Sequence, residues 1–436
     1  MSADGPPQGA NSAPGGAAQR RMPQAWGDHT NPRADTAAAI AAAIAAMGPG
    51  PLTEEGIERH VAPLFSRVLI GPDRPIYLAN HSLGRPLDAT AADVAEAIGL
   101  WQSQLGNAWD AWLAEIAGYR ARLAALMHAP RADCIVPKTS AGQGLRAILN
   151  SYDRVPRVVA TRGEFDSIDV ILRQYARRGR IELRFVEAGT DGMFDAAELL
   201  SAVRDADLVV VSQVLFNTGQ VLPGLPALIA AAHAGGARVL VDVYHSLGVL
   251  PVDIASLDAD FAIGGSYKYL RGGPGAGFMY LHPRHLDGGF GTLDIGWFAK
   301  KAPFDYVRPD PPEFGAGGDA LLESTPPVLT CYQARAGQLF TAAVGVARLR
   351  EYSLTQLRTL IGLLGKHGVR AEGGSEDRGA FVVVRSDKAR AWAGELERRG
   401  VIVDSRGSIL RLCPDLLTTQ AELADAAKRL GEIATR

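Results

Sequence analysis

Asp242, His245 and Lys268 lie close together in the stretch 239–281, and each is delivered by the end of an apolar run. Val239-Leu240-Val241 stops at Asp242. Phe261-Ala262-Ile263 stops at Gly264-Gly265 and is followed at once by Ser266-Tyr267-Lys268. A glycine-proline loop over 271–277 comes next, and Phe278-Met279-Tyr280-Leu281 reads as a third strand. Short apolar runs bounded by turn residues read as buried parallel strands. Polar groups at their ends stand where open α/β sheets bind ligands. A lysine held between two glycine pairs is partly desolvated, which lowers its pKa and makes it a competent amine for attack on a carbonyl. An aspartate ending a buried strand needs a cationic partner. A protonated pyridine nitrogen is one, because the charge lets the ring act as an electron sink. Together the three residues point to an aldehyde cofactor held as a Schiff base. The ordinary alternatives are a turn-capping Asp242 and a solvated Lys268.

A second candidate group is Lys138-Thr139-Ser140-Ala141-Gly142-Gln143-Gly144, which follows the strand-like Cys134-Ile135-Val136. Hydroxyls and glycines at the head of a helix suit a phosphate, although the same letters also make a plain N-cap.

The elements that must position these groups alternate. Runs at 157–161, 181–186, 208–212 and 239–242 read as strands, and the segments between them have helical length and periodicity. Such alternation predicts right-handed βαβ units and a mostly parallel sheet flanked by helices. Before it, helices are expected from Asp35, over 53–68 and over 88–127, the last with Trp109 and Trp112 as packing residues. The pattern dissolves between Gly288 and Pro327, a length of loop that is usually functional or interfacial. After it come long helices over 333–364. A smaller α+β unit follows, with strands at 381–385, near Val401 and near Leu410, and helices over 387–399 and after Thr418.

The motifs resemble those of fold type I pyridoxal-phosphate enzymes of aminotransferase class V, and among them the kynureninases. Asp242-Val-Tyr-His245, Ser266-Tyr267-Lys268-Tyr-Leu and Gly272-Gly-Pro-Gly275 match the family's Asp-x-x-His, its Tyr-Lys-Tyr-Leu and its glycine-proline loop. Asn80-His-Ser82-Leu-Gly84 is similar to an N-terminal Asn-Ser-Leu-Gly, with His81 where Asn is usual. The resemblance implies pyridoxal 5′-phosphate as cofactor and an α-amino acid as substrate. By it, Lys268 holds the cofactor and moves a proton, Asp242 pairs with the pyridine nitrogen, and His245 lies at the phenolic edge. Thr139 and Ser140 bind phosphate with Tyr267, whose hydroxyl also relays a proton. Phe165 stacks on the ring, with core packing as its plain alternative. Trp297 and Thr325 reach the site across a homodimer. Arg411 grips the substrate carboxylate, the alternative being a strand-edge charge, and Ser82 binds the substrate. Two departures concern the substrate. Thr325 stands before Pro326-Pro327 where kynureninases carry Asn, and their substrate-facing His has no counterpart around 102–107. The implied reaction is hydrolytic Cβ–Cγ cleavage with release of alanine. A class V aminotransferase, a Cβ lyase and a catalytically silent binding protein are the alternatives.

Whole-chain properties bound the rest. The 436 residues carry a net charge of −2 and are 47% hydrophobic, enough for a large core and without the basic excess that draws nucleic acid or an anionic membrane. No apolar run is long enough to span a bilayer. Three cysteines without CxxC or Cys/His spacing suggest a reduced, cytoplasmic protein without a metal site. The expected division is a disordered tail over 1–34, a small-domain segment over 35–90, a cofactor domain over 91–330 and a C-terminal α+β domain over 331–436.

Overall fold

The computed structural model describes residues 32–71 and 74–435. The tail expected over 1–34 lies outside the described residues except for 32–34, which open the helix Pro32–Ala46. The strands are β1 (Ile76–Tyr77), β2 (Ile135–Lys138), β3 (Arg157–Thr161), β4 (Glu182–Val186), β5 (Leu208–Ser212), β6 (Arg238–Asp242), β7 (Phe261–Gly265), β8 (Gly277–Leu281), β9 (Val382–Arg385), β10 (Val401–Ile402), β11 (Asp404–Arg406) and β12 (Ile409–Leu412).

Seven of them form the central sheet in the order β2-β8-β7-β6-β5-β3-β4. Strands β3 to β7 pair in parallel, so the α/β class and the mostly parallel sheet hold. One expectation is corrected. β8 runs antiparallel to both β7 and β2, because residues 266–276 are too few for a parallel crossover, which needs a dozen or more. Successive side chains of a strand point to opposite faces, and both faces here are covered. Val209, Val211, Val239 and Val241 enter one apolar cluster with Ile116 and Leu123. Leu208, Val210 and Leu240 enter another with Leu145, Ile168 and Leu172. That burial on both sides explains why these strands read as continuous apolar runs.

The smaller part is an antiparallel sheet of order β11-β12-β9, packed with the helices Val346–Lys366, Ala389–Arg398 and Gln420–Ala434. β1 pairs in parallel with β10 through Ile76↔Val401, which ties the N-terminal chain to this C-terminal unit. β11 is absent from the sequence reading because Asp404-Ser405-Arg406 is wholly polar and lies at a sheet edge.

Two expected helices are broken. The one over 53–68 is capped by Thr53, passes through a wider turn at Ile57–Val61 and tightens over Ala62–Val68. Pro63 there lacks the N–H that a regular helix would use. The one over 88–127 divides into Ala89–Gln104 and Ala108–Leu126, separated by Leu105 at φ +50°. Trp109 and Trp112 pack edge to face, 5.3 Å apart, against the core.

Candidate active site

The C-terminal ends of β5 and β6 lie side by side, with Ser212 in register with Asp242. Just beyond β7 the chain turns and returns Lys268 to the same edge. The turn is fixed from outside by Gly84, whose N–H donates to the Tyr267 carbonyl at 2.8 Å. A Cβ at Gly84 would come within 1.9 Å of the Lys268 carbonyl oxygen, so only glycine allows this approach. Gly265, at the end of β7, has the same function for Tyr244, whose hydroxyl would lie 1.9 Å from an added Cβ.

These elements enclose a cavity of about 210 Å³ whose wall includes Ser140, Phe165, Asp242, His245, Tyr267 and Lys268. The Lys268 amine is buried, 2.6 Å from His245 Nε2. It is ringed by Tyr244, Phe165 and Tyr267 at 4.9, 5.4 and 5.6 Å from their centroids. Burial pushes its pKa down, against the pull of the Asp242 carboxylate. Asp242 is itself pushed up by burial. The Tyr244 N–H, donating to its Oδ1 at 2.8 Å, and the charge of Lys268 act the other way. Burial drives His245 well below its ordinary value, so its ring is neutral, and its Nδ1 has no hydrogen-bond partner among the described residues. Phe165 faces the cavity and meets Phe216 edge to face at 5.3 Å.

Ser140 caps the helix Ala141–Leu149, accepting from Gln143 N–H, and lines the cavity at that helix N-terminus. Thr139 is turned aside. Its N–H and hydroxyl both donate to Gln143 Oε1, at 2.7 and 3.1 Å. Gln143 in turn donates to Glu323, which also takes the Lys138 ammonium at 2.6 Å.

Arg411 and Ser82 come together, but behind the cavity wall. Both donate to Asp404, and Arg411 Nη1 donates to the carbonyl of Phe216, a wall residue, at 2.5 Å. Trp297 packs instead on Phe298, Phe304 and Tyr306, and Thr325 is exposed. Neither lines this chain's cavity.

Four residues of the site carried no role in the sequence reading. Tyr244 lies inside the Asp-x-x-His motif, where an aromatic passes for filler. Ser212 ends an apolar strand in register with Asp242. Glu164 precedes Phe165 and accepts from Thr161 Oγ1 and Ser212 Oγ at 2.6 Å each. Its full burial pushes its pKa up to about 7. Asp404 belongs to the unrecognised β11.

The family model for class-V aminotransferases matches residues 88–408. The chain belongs to the aminotransferase class-V family. It is 31% identical over 399 residues to a kynureninase of Pseudomonas fluorescens, covering 86% of this chain and 93% of that one. An uncharacterised aminotransferase of Bacillus subtilis is 25% identical over 56% of this chain and 64% of its own length. Among solved structures, a cystine C–S lyase with its product cysteine persulfide aligns at TM-score 0.73 and 22% identity, over 82% of this chain and 97% of that one. A cysteine desulfurase from Thermococcus onnurineus NA1 aligns at 0.72 and 18%, over 83% and 95%. As a member of this family the chain is a pyridoxal-phosphate-dependent enzyme of fold type I.

The residues present fit that cofactor. A buried amine, a carboxylate, an aromatic face and a capped helix N-terminus border one cavity, and a buried imidazole nitrogen there lacks a partner. Among the described residues no group of His, Cys, Asp and Glu is arranged to hold a metal. No described helix is long and apolar enough to cross a membrane.

Proposed function

We propose that this chain is a kynureninase-like hydrolase that cleaves the Cβ–Cγ bond of an α-amino acid bearing a γ-carbonyl. Water adds across that bond: its hydroxyl goes to Cγ, giving a carboxylic acid, and its proton to Cβ, giving alanine. The observation that carries this reading is a depressed, buried Lys268 amine beside His245 and Asp242, in a chain that matches a kynureninase over most of both lengths. When bound, the cofactor supplies an electron sink for charge left at Cα.

Lys268, its amine favoured in the neutral form by burial, takes and returns the Cα proton. Asp242 would hold the ring nitrogen and His245 the phenolic edge. Phe165 would stack on the ring, and Tyr267 would hold phosphate and relay a proton. Ser140 and Thr139 hold phosphate, which for Thr139 requires Gln143 to release it. Arg411 and Ser82 receive the substrate carboxylate.

We further assign the cofactor domain to 91–330 and the smaller domain to 35–90 with 331–436. In support, Leu78, Leu360, Leu410 and Leu430 share an apolar cluster that takes in no residue of 91–330. A homodimer completes each site with Trp297 and Thr325 of the other chain. Leu293, Tyr306 and Val307, from the same irregular segment, are 76, 72 and 58% exposed, an apolar surface that a second copy would cover. Three buried, unpaired cysteines suit a cytoplasmic setting. They also argue against a desulfurase, which needs a mobile thiol: Cys331 and Cys413 are pushed up to about 12 by burial.

The experiment is a product assay with kynurenine and 3-hydroxykynurenine. Stoichiometric alanine and the aromatic acid support the hydrolase. A second reading, transamination or Cβ elimination by the same residues, is favoured by Thr325 standing where kynureninases carry Asn. It predicts no alanine from kynurenine but turnover of another amino acid to a keto acid.

A further inference from the structure

Arg411, expected to grip the substrate carboxylate, and Ser82, expected to bind substrate, already hold a carboxylate of the chain itself. Asp404 Oδ2 accepts from Ser82 Oγ at 2.5 Å and from Arg411 Nη2. The cluster lies one residue behind the cavity wall, through the Arg411 bond to the Phe216 carbonyl and the packing of His81 near His245, ring centroids 6.4 Å apart.

Three details show that this closure is incomplete. Arg411 Nε has no partner among the described residues, so Asp404 takes one N–H of an edge that could grip a carboxylate with two. His81 is fully buried with neither ring nitrogen hydrogen-bonded, and its Nε2 lies 3.7 Å from the same Asp404 oxygen. Asp404 also has another cation at hand, since Oδ1 accepts from the half-exposed Arg406 at 3.0 Å. It can leave Arg411 without losing its counter-charge. It lies on β11, a three-residue edge strand turned by Gly407 at φ +55°.

We infer that Asp404 is an internal competitor of the substrate carboxylate: the acid enters by displacing Asp404 from Arg411 and Ser82, and Asp404 passes to Arg406. The inference rests on the reading of Arg411 as the carboxylate grip and adds the residue that sets its affinity. A ligand that can fork onto Nε and Nη2 gains a bond that Asp404 does not make. An uncharged ligand makes no ion pair with Arg411 and is not held there, with or without Asp404.

The test is calorimetric titration of 3-phenylpropanoate, with 3-phenylpropanamide as the uncharged control, into the wild-type holoenzyme and Asp404→Ala. Asp404→Ala should bind the carboxylate at least about tenfold more tightly and the amide no better. That gain should vanish in Asp404→Ala/Arg411→Gln. Asp404→Asn, which keeps the volume and a hydrogen bond to Ser82, should give a smaller gain of the same sign and serves should the alanine variant not fold. Unchanged or weaker carboxylate binding in a folded variant would overturn the inference, leaving Asp404 as support for Arg411. The two readings fail separately. A holoenzyme that releases no alanine from kynurenine or 3-hydroxykynurenine defeats the proposed function, while the carboxylate-to-amide comparison still reads Asp404.

Discussion

At the scale of single residues, Lys268 carries the most. Lys268→Ala should remove the visible absorbance of bound pyridoxal phosphate and lower turnover by several orders of magnitude; a band that survives would take Lys268 out of its role. Because its amine is depressed by burial, cofactor uptake should persist at neutral pH and fall as the solution is made acidic, where protonation blocks attack. Glu164 gives a second, independent prediction. Its folded pKa of about 7 lies above the ordinary 4.5, so the folded state holds its proton more tightly than the unfolded state. Its contribution is therefore full below pH ~4.5 and is lost as pH rises to ~7, a cost of about 3 kcal/mol. Glu164→Gln should flatten the stability-versus-pH curve over that window in denaturant unfolding; an unchanged slope would refute the assignment. Lys268, Asp242 and His245 were legible in the sequence because strand ends advertise polar residues between apolar runs. Glu164 was not, because its partners, Thr161 and Ser212, are hydroxyls on separate strands and leave no local pattern.

The elements show where local pattern is enough and where it fails. β5 was readable to the residue because both faces are buried and its run is uniformly apolar. The direction of β8 is set by the length of the loop before it, which no periodicity records, and the polar β11 exists only through pairing with β12. The same dependence on distant partners makes Gly84 informative. It lies far from Lys268 in sequence, yet its missing side chain admits the Lys268 carbonyl. Gly84→Ala would force backbone apart from backbone, an overpacking cost of about 1–3 kcal/mol. The variant should fold with a lower Tm and bind pyridoxal phosphate more weakly. A Tm and cofactor affinity equal to wild type would show that the Tyr267–Lys268 turn does not depend on this contact.

At the scale of the whole molecule, the open question is whether one chain makes a complete site. Thr325 is exposed and Trp297 packs among its own neighbours in the irregular segment. Their expected roles therefore require a second copy, and closed two-fold pairing is the simplest arrangement that serves both sites alike. Lys268→Ala breaks only the site that contains its own lysine. Thr325→Ala, if the threonine reaches across, weakens only the neighbour's site. A heterodimer of the two variants would hold one site with Lys268 from one chain and Thr325 from the other, both intact, and one site lacking both. Random reassortment makes half of the dimers mixed, and half of the sites in those are whole, so mixing two impaired proteins should restore about a quarter of wild-type activity. Sedimentation of the mixture should show dimers at the same concentration. A mixture no more active than the average of its components, with dimers present, would mean that each site is built from one chain and that the exposed apolar segment around Tyr306 pairs the copies without sharing chemistry.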